Sequence, residues 1–186
     1  MAFRKTEAVL AAQQARKQAM IDAAIEVIAR GGIDALTTQA VADRVEVSIG
    51  TVYNFFADGS DLLAAAIVQL ARADINAMRN AAKLELRPIN ALAAALTVFY
   101  SRQERRRLVE AMSTMSSYRD AIIDEIARLL EEVVPQGRQI AAAGVLGALY
   151  GIHGFRSGAQ DRASAAVAFA LLGIGVPAKA VERLVD

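Results

Sequence analysis

Twenty residues near the N-terminus, Thr37 to Phe56, constrain the fold more tightly than any other part of the chain. They read Thr37-Thr38-Gln39-Ala40-Val41-Ala42-Asp43-Arg44-Val45-Glu46-Val47-Ser48-Ile49-Gly50-Thr51-Val52-Tyr53-Asn54-Phe55-Phe56. The pattern predicts two short helices joined by a tight turn at Glu46. Ala42 is small enough to sit where the helices cross, and Val41, Val45, Val47 and Val52 supply a small core that fixes their angle. Thr37 or Thr38 is placed to cap the first helix and Ser48 the second, each accepting a backbone N–H that the helix leaves unbonded. Ser48, Ile49, Gly50, Thr51, Tyr53 and Asn54 are then left facing outward. A second helix presented in this way fits the DNA major groove. An ordinary αα-hairpin has the same spacing and is the alternative on these residues alone.

The rest of the chain reads as helix throughout. Hydrophobic residues make up 55% and charged residues 22%, with three prolines, which excludes wholesale disorder. Alanine and leucine are abundant and aromatics few, a helical rather than a strand composition. Apolar spacing predicts helices from Gln14 to Arg30, Ser60 to Ala82, from Pro88 onward, Arg105 to Met112, Ser117 to Val134, Gly137 to Phe155, Gln160 to Ile174 and Pro177 to Val185. Gly31-Gly32 is expected to close the first through a left-handed residue, and Asp58 or Ser60 to cap the one after the hairpin. The fold class is therefore all-α. Residues 1–58 form a three-helix helix-turn-helix domain and residues 59–186 a helical domain, joined rigidly through the helix that opens at Ser60.

Two runs carry no Lys, Arg, Asp or Glu: 17 residues from Gln139 to Phe155 and 16 from Ala163 to Ala178. Both are shorter than the roughly 20 apolar residues a membrane span needs, and they contain Gln139, His153 and Ser164. They read better as helices buried against their own domain on one side and a second subunit on the other. Gly144, Gly147, Gly151, Gly154 and Gly158 recur at steps of three and four, one stripe of a helix. Each interior glycine costs on the order of 1 kcal/mol of helix propensity, so the stripe implies close approach of another helix.

The segment from about Ile21 to Leu63 resembles the DNA-binding domain of the TetR family of bacterial transcriptional regulators. Gly32, Thr37-Thr38, Val41-Ala42, Val47-Ser48, Gly50-Thr51-Val52-Tyr53, Phe55-Phe56 and Leu62-Leu63 carry the resemblance in register. It implies a regulator, a repressor by default, that binds a palindromic double-stranded DNA operator as a homodimer and is released by a small, mostly apolar effector. The dimer would form through the helices around 139–158 and 160–174. Thr38, Ser48, Thr51 and Tyr53 would donate to phosphates, with the capped starts of the two helices, Thr37 among them, adding backbone N–H groups, while Ile49, Gly50 and Asn54 would read bases. In the C-terminal domain the candidates for effector contact are Phe99, Tyr100, Met112, Met115, Tyr118, Arg119, Tyr150 and His153. A cytoplasmic location, no membrane and no cofactor or metal are expected.

Several positions depart from the family pattern. Glu46 stands where the turn usually holds glycine, and is expected to take a positive φ at a cost near 1 kcal/mol. Ile49, Phe55 and Gly59 replace residues that commonly contact phosphate. Residues 1–58 carry six basic and seven acidic side chains, so generic phosphate affinity is not built into the charge. Arg4, Lys5, Arg16 and Lys17 are candidates to compensate as an N-terminal arm. The alternative is a dimeric small-molecule-binding protein whose DNA binding is weakened or lost. The cluster Arg102, Arg105, Arg106 and Arg107 reads as a solvated helix start paired with Glu104 and Glu110. Without cysteine, and with one histidine and no glycine-rich phosphate loop after a strand, nothing supports an enzyme and no catalytic residue is assigned.

Overall fold

An α-helix of 30 residues, α1 (Ala2–Gly31), opens the chain in the computed structural model. The structure describes residues 2–106, 115–134, 136–153 and 162–185, with side chains described for 7–103, 115–134, 136–151 and 162–184. The helix begins well before the Gln14 expected from apolar spacing. Residues 7–19 are all exposed, including Val9 and Leu10, so no buried face announces this stretch. Its alanines, glutamines, lysine and arginine are strong helix formers without Gly or Pro, which accounts for the extension. From Met20 onward the helix turns a buried face, Met20, Ala23, Ala24 and Ile28, to the domain core. It ends at Gly32, whose φ of 78° and ψ of −178° lie outside the left-handed helical well, in a region open essentially to glycine.

The chain divides into two compact units, Met1–Leu70 and Ala71–Asp186. In the first, a single 3₁₀ turn (Ile33–Ala35) leads to α2 (Thr38–Arg44), α3 (Ile49–Tyr53) and the first part of α4 (Gly59–Ala82). Val41, Ala42, Val52, Phe56, Leu62, Ala66 and Leu70 join the α1 face in one core. Val45 and Val47 are half-buried. A polar clasp ties α1 to α4 across this core: Gln18 Nε2 donates to Asp22 at 2.9 Å and to Gln69 Oε1 at 2.5 Å, and Gln69 Nε2 returns to Asp22 at 2.5 Å. Asp58 caps α4, accepting the N–H groups of Ser60 (2.8 Å) and Asp61 (2.9 Å), while the Asp61 carboxylate accepts Ala57 N–H at 3.1 Å.

The second unit holds the rest of α4, then α5 (Pro88–Arg106), α6 (Ser116–Leu129), α7 (Arg138–His153), α8 (Arg162–Gly173) and α9 (Ala178–Val185). Pro88 opens α5, where a missing N–H costs nothing. Helix α7 packs on α6 and α8, α5 on α6 and α8, and α9 on α8. Leu92, Leu96, Phe99, Tyr118, Ile122, Ile126, Val145, Leu149, Val167 and Leu171 fill the interior. Helix α6 stops at Leu129, and Leu130 to Val133 continue as turns rather than helix. Arg105 and Arg106 end α5 instead of starting a new helix; the remainder of that expected element lies outside the described residues, as do Gly154 and Gly158. No helix among the described residues is long and apolar enough to cross a membrane.

Candidate nucleic-acid interface and regulatory core

The turn between α2 and α3 is built by backbone hydrogen bonds. Val47 N–H donates to Ala42 O at 3.0 Å and Glu46 N–H to Asp43 O at 3.4 Å. These are the six-to-one and five-to-two bonds of a Schellman motif, with Glu46 at the left-handed position. Its φ is 56°, the only positive φ outside glycine among the described residues. The same motif closes α8, where Val176 N–H reaches Leu171 O (3.1 Å) and Gly175 N–H reaches Leu172 O (3.0 Å). There the left-handed residue is Gly175, φ 85°. The chain thus uses glycine at one such turn and bears a Cβ at the other.

Both expected caps form. Thr37 accepts Ala40 N–H at 3.0 Å, and Ser48 accepts Thr51 N–H at 3.2 Å. Between them they orient α3 so that Val52 and Phe56 point into the core. Ser48, Ile49, Gly50, Tyr53 and Asn54 are exposed, and Thr51 is half-buried. The hydroxyls fall in two pairs: Ser48 Oγ and Thr51 Oγ1 at 2.8 Å, Thr38 Oγ1 and Tyr53 OH at 3.4 Å. In each pair one proton joins the two oxygens and the other is available to an outside acceptor. Seven of the eight residues proposed from sequence therefore share one outward face or its edge. Thr37 is also exposed, but its hydroxyl oxygen is committed to the Ala40 N–H.

Cations near this face are largely committed. Arg44 donates to Glu26 through Nε at 2.7 Å and through a second, shorter contact. The Lys17 ammonium lies 5.2 Å above the Phe56 ring, a cation–π contact. Arg16 is exposed. Arg4 and Lys5 belong to α1 rather than to an extended arm, and their side chains lie outside the described residues.

In the second unit the buried polar side chains among the described residues are Asp74 on α4, Gln103 on α5 and Glu125 on α6. Asp74 Oδ1 accepts Arg102 Nε at 2.7 Å; its Oδ2 accepts the Tyr118 hydroxyl at 2.7 Å and Gln103 Nε2 at 3.0 Å. Gln103 Nε2 also donates to the Tyr118 oxygen at 2.6 Å. Arg102 is thus drawn into the interior edge rather than solvated as expected. Burial first, then the Asp74 charge, raises the Tyr118 phenol far above its ordinary value. A second buried carboxylate, Glu125, is clamped by Arg79 (3.0 and 2.7 Å) and Arg128 (3.0 and 2.6 Å). Burial alone would raise its pKa, but the Arg128 and Arg79 hydrogen bonds outweigh that and hold it below the usual glutamate value.

Of the effector candidates, Phe99, Tyr100 and Tyr118 are buried, Met115, Arg119 and Tyr150 are partly buried, and Phe99 and Tyr150 are in tilted ring contact at 6.5 Å. Met112 and the His153 side chain lie outside the described residues. Sequence reading missed Asp74 and Gln103. The available signal was phase: Asp74 falls in step with Leu70 and Met78, and Gln103 with Leu96 and Phe99, all on buried faces.

Comparison with known proteins follows the same division. The family model described as bacterial regulatory proteins, tetR family, matches residues 20–66. The HTH-type transcriptional repressor KstR of Mycobacterium tuberculosis is 28% identical over 129 residues, covering 66% of this chain and 58% of that protein. KstR of Mycolicibacterium smegmatis is 36% identical over 56 residues, 30% of this chain and 28% of that protein. The chain therefore spans under three-fifths of the length of these curated relatives. Among solved structures, RolR in complex with resorcinol superposes with a TM-score of 0.70 at 19% identity, covering 94% of this chain and 96% of RolR. A TetR-like transcriptional regulator from Rhodococcus sp. RHA1 gives 0.63 at 24% identity, covering 87% and 97%. Residues 20–66 therefore carry the DNA-binding domain of the tetR family of bacterial regulatory proteins, and the chain as a whole shares the helical fold of the superposed structures.

Proposed function

We propose that this chain is a ligand-responsive repressor that binds a two-fold symmetric operator as a homodimer and leaves it when a small effector occupies the C-terminal unit. The observation that carries this reading is the capped α3 face, which presents Ser48, Ile49, Gly50, Tyr53 and Asn54 to solvent within a tetR-family domain. The free protons of the Ser48–Thr51 and Thr38–Tyr53 pairs donate to phosphates and set the register of α3 in the groove. Thr37 contributes by holding the first N–H groups of α2 in place. Asn54 pairs with adenine, and Ile49 packs on thymine methyls. Gly50, without a side chain, lets the backbone approach the DNA.

Dimerisation is assigned to α7 and α8. Ile140, Gly144, Gly147 and Gly151 form an exposed stripe on α7, and Ala165, Phe169 and Leu172 form another on α8. A Cβ built on any of these three glycines meets nothing within 4 Å, so the chain's own packing does not account for them. A large exposed apolar face of this kind supports an association surface. The effector site is assigned to Phe99, Tyr100, Met115, Tyr118, Arg119 and Tyr150 of the second unit, where Tyr118 bonds to Asp74; the further candidates Met112 and His153 have side chains outside the described residues. Asp74 stands on α4, a helix common to both units, so a ligand that alters its hydrogen bonding has a covalent route to the DNA-binding domain. The effect on affinity is limited to the ligand's preference for the released state.

A panel of operator variants tests the division of labour. Tyr53→Ala is expected to weaken binding to all variants alike, and Asn54→Ala to lose discrimination at one position of each half-site. Indistinguishable profiles for the two substitutions would refute the assignment.

A further inference from the structure

The polar cluster of the second unit leaves two of its own atoms unfinished. Among the described residues, Gln103, 2% exposed, has no hydrogen-bond partner for Oε1, and the enclosed hydroxyl of Tyr150 has none either. The orientation of the Gln103 amide is fixed by chemistry. Its Nε2 faces a carboxylate oxygen of Asp74 and the oxygen of Tyr118, and turning it over would set Oε1 against the carboxylate. The one proton of Tyr118 is spent on Asp74, so it has none to give Gln103. Buried polar atoms are nearly always paired, and an unpaired one costs stability. Two of them in one cluster mark a place that another molecule completes.

The two atoms ask for different things. Gln103 Oε1 can only accept, so its partner must donate. Burial, reinforced by the Asp74 charge and only partly offset by Arg119, keeps the Tyr150 phenol protonated, so it offers a proton and its partner must accept. A hydroxyl does both, as do two hydroxyls on one molecule. Charge narrows the choice further. Asp74 is balanced by Arg102 at 2.7 Å, and an added anion would face the Asp74 carboxylate. The nearby cation, Arg119, whose charge is felt at Tyr150, is 43% exposed and lies 3.9 Å from Asp120, a carboxylate that shares its charge. Phe99 against the Tyr150 ring adds an apolar wall.

We propose that the effector is an uncharged, mostly apolar molecule bearing a hydroxyl, an alcohol or a phenol, which donates to Gln103 Oε1 and accepts from the Tyr150 hydroxyl. This deepens the regulator reading and rests on it for the word effector; the binding itself is measured without DNA.

Isothermal titration of the full chain with 4-alkylphenols from methyl to butyl tests it, each matched by the alkylbenzene and the 4-alkylbenzoate of the same length. The best phenol is expected to bind at least about tenfold tighter than either match. Tyr150→Phe removes a hydroxyl that has no partner among the described residues. It is expected to keep or raise Tm without ligand, to cut phenol affinity about tenfold, and to leave alkylbenzene binding unchanged. Tightest binding by a benzoate, a phenol no better than its alkylbenzene, or a Tyr150→Phe variant that binds phenol like the parent would each overturn the proposal. So would a lower Tm for Tyr150→Phe, which would reveal an internal partner. Phenol binding by a chain that recognises no DNA site would keep this proposal and sink the regulator reading; specific DNA binding with no phenol preference would do the reverse.

Discussion

Replacing Glu46 by glycine should stabilise the protein, although it shortens a side chain in the helix-turn-helix itself. Glu46 holds φ at 56° as the left-handed residue of the α2 Schellman turn. For a residue with a Cβ, that conformation costs about 1–2 kcal/mol. Glycine removes the strain but loosens the unfolded chain, which takes back about 0.4–1 kcal/mol. The Glu46 side chain is exposed, so little burial is lost. The net is a gain of about 0.5–1 kcal/mol, or roughly 1–4 °C in Tm for a chain of this length. Gly175 is the internal control, because it occupies the equivalent place at the end of α8 with φ 85° and open space where a Cβ would stand. Gly175→Ala should lose about 1 kcal/mol through backbone strain alone. Denaturant melts of both variants decide the matter, with operator affinity as a check that the turn is kept. If Glu46→Gly were neutral or destabilising while Gly175→Ala stabilised, the left-handed strain would not be what the two turns have in common.

Three further outcomes are expected. Gly147→Leu should leave the protomer folded, since its Cβ has nothing within 4 Å, yet convert the dimer to monomer in sedimentation equilibrium; an unchanged dimer would place the interface elsewhere. Glu125→Gln should destabilise the protein at neutral pH. Because the folded pKa of Glu125 lies below its ordinary value of 4.5, its contribution is present above that value and lost as pH falls through the folded pKa. The parent and the variant should therefore converge in stability once the pH falls below the folded pKa of Glu125; a gap that persisted after its protonation would mean the carboxylate charge is not the cause. Operator affinity should fall only shallowly with salt, with a slope of log K against log salt between roughly −2 and −4 for the dimer, because hydroxyls replace most cationic phosphate contacts. A slope of about −8 would show that basic residues carry the binding after all.

What could be read from sequence follows how local each signal is. The caps at Thr37 and Ser48, the positive φ of Glu46 and the opening of α5 at Pro88 depend on a few neighbouring residues, and each took its expected form. The first half of α1 did not advertise itself, since a helix held by propensity with every side chain from 7 to 19 exposed shows no apolar stripe. The Asp74 cluster was hidden for the opposite reason. Tyr118 lies 44 residues from Asp74 and 15 from Gln103 in the chain, and only tertiary packing brings the three together. Arg102 looked like one of several solvated arginines because its carboxylate, 28 residues away on α4, cannot be inferred from its neighbours.

The central claim is that two copies of the α3 face read one symmetric operator. Selection of bound fragments from random DNA at low salt, followed by footprinting on the enriched sequence, tests it most directly. The account predicts a two-fold symmetric site with two protected major-groove patches about 34–36 Å apart, both lost in Tyr53→Ala. A folded, dimeric protein that enriches no sequence, or that protects a single asymmetric patch unaffected by Tyr53→Ala, would contradict it.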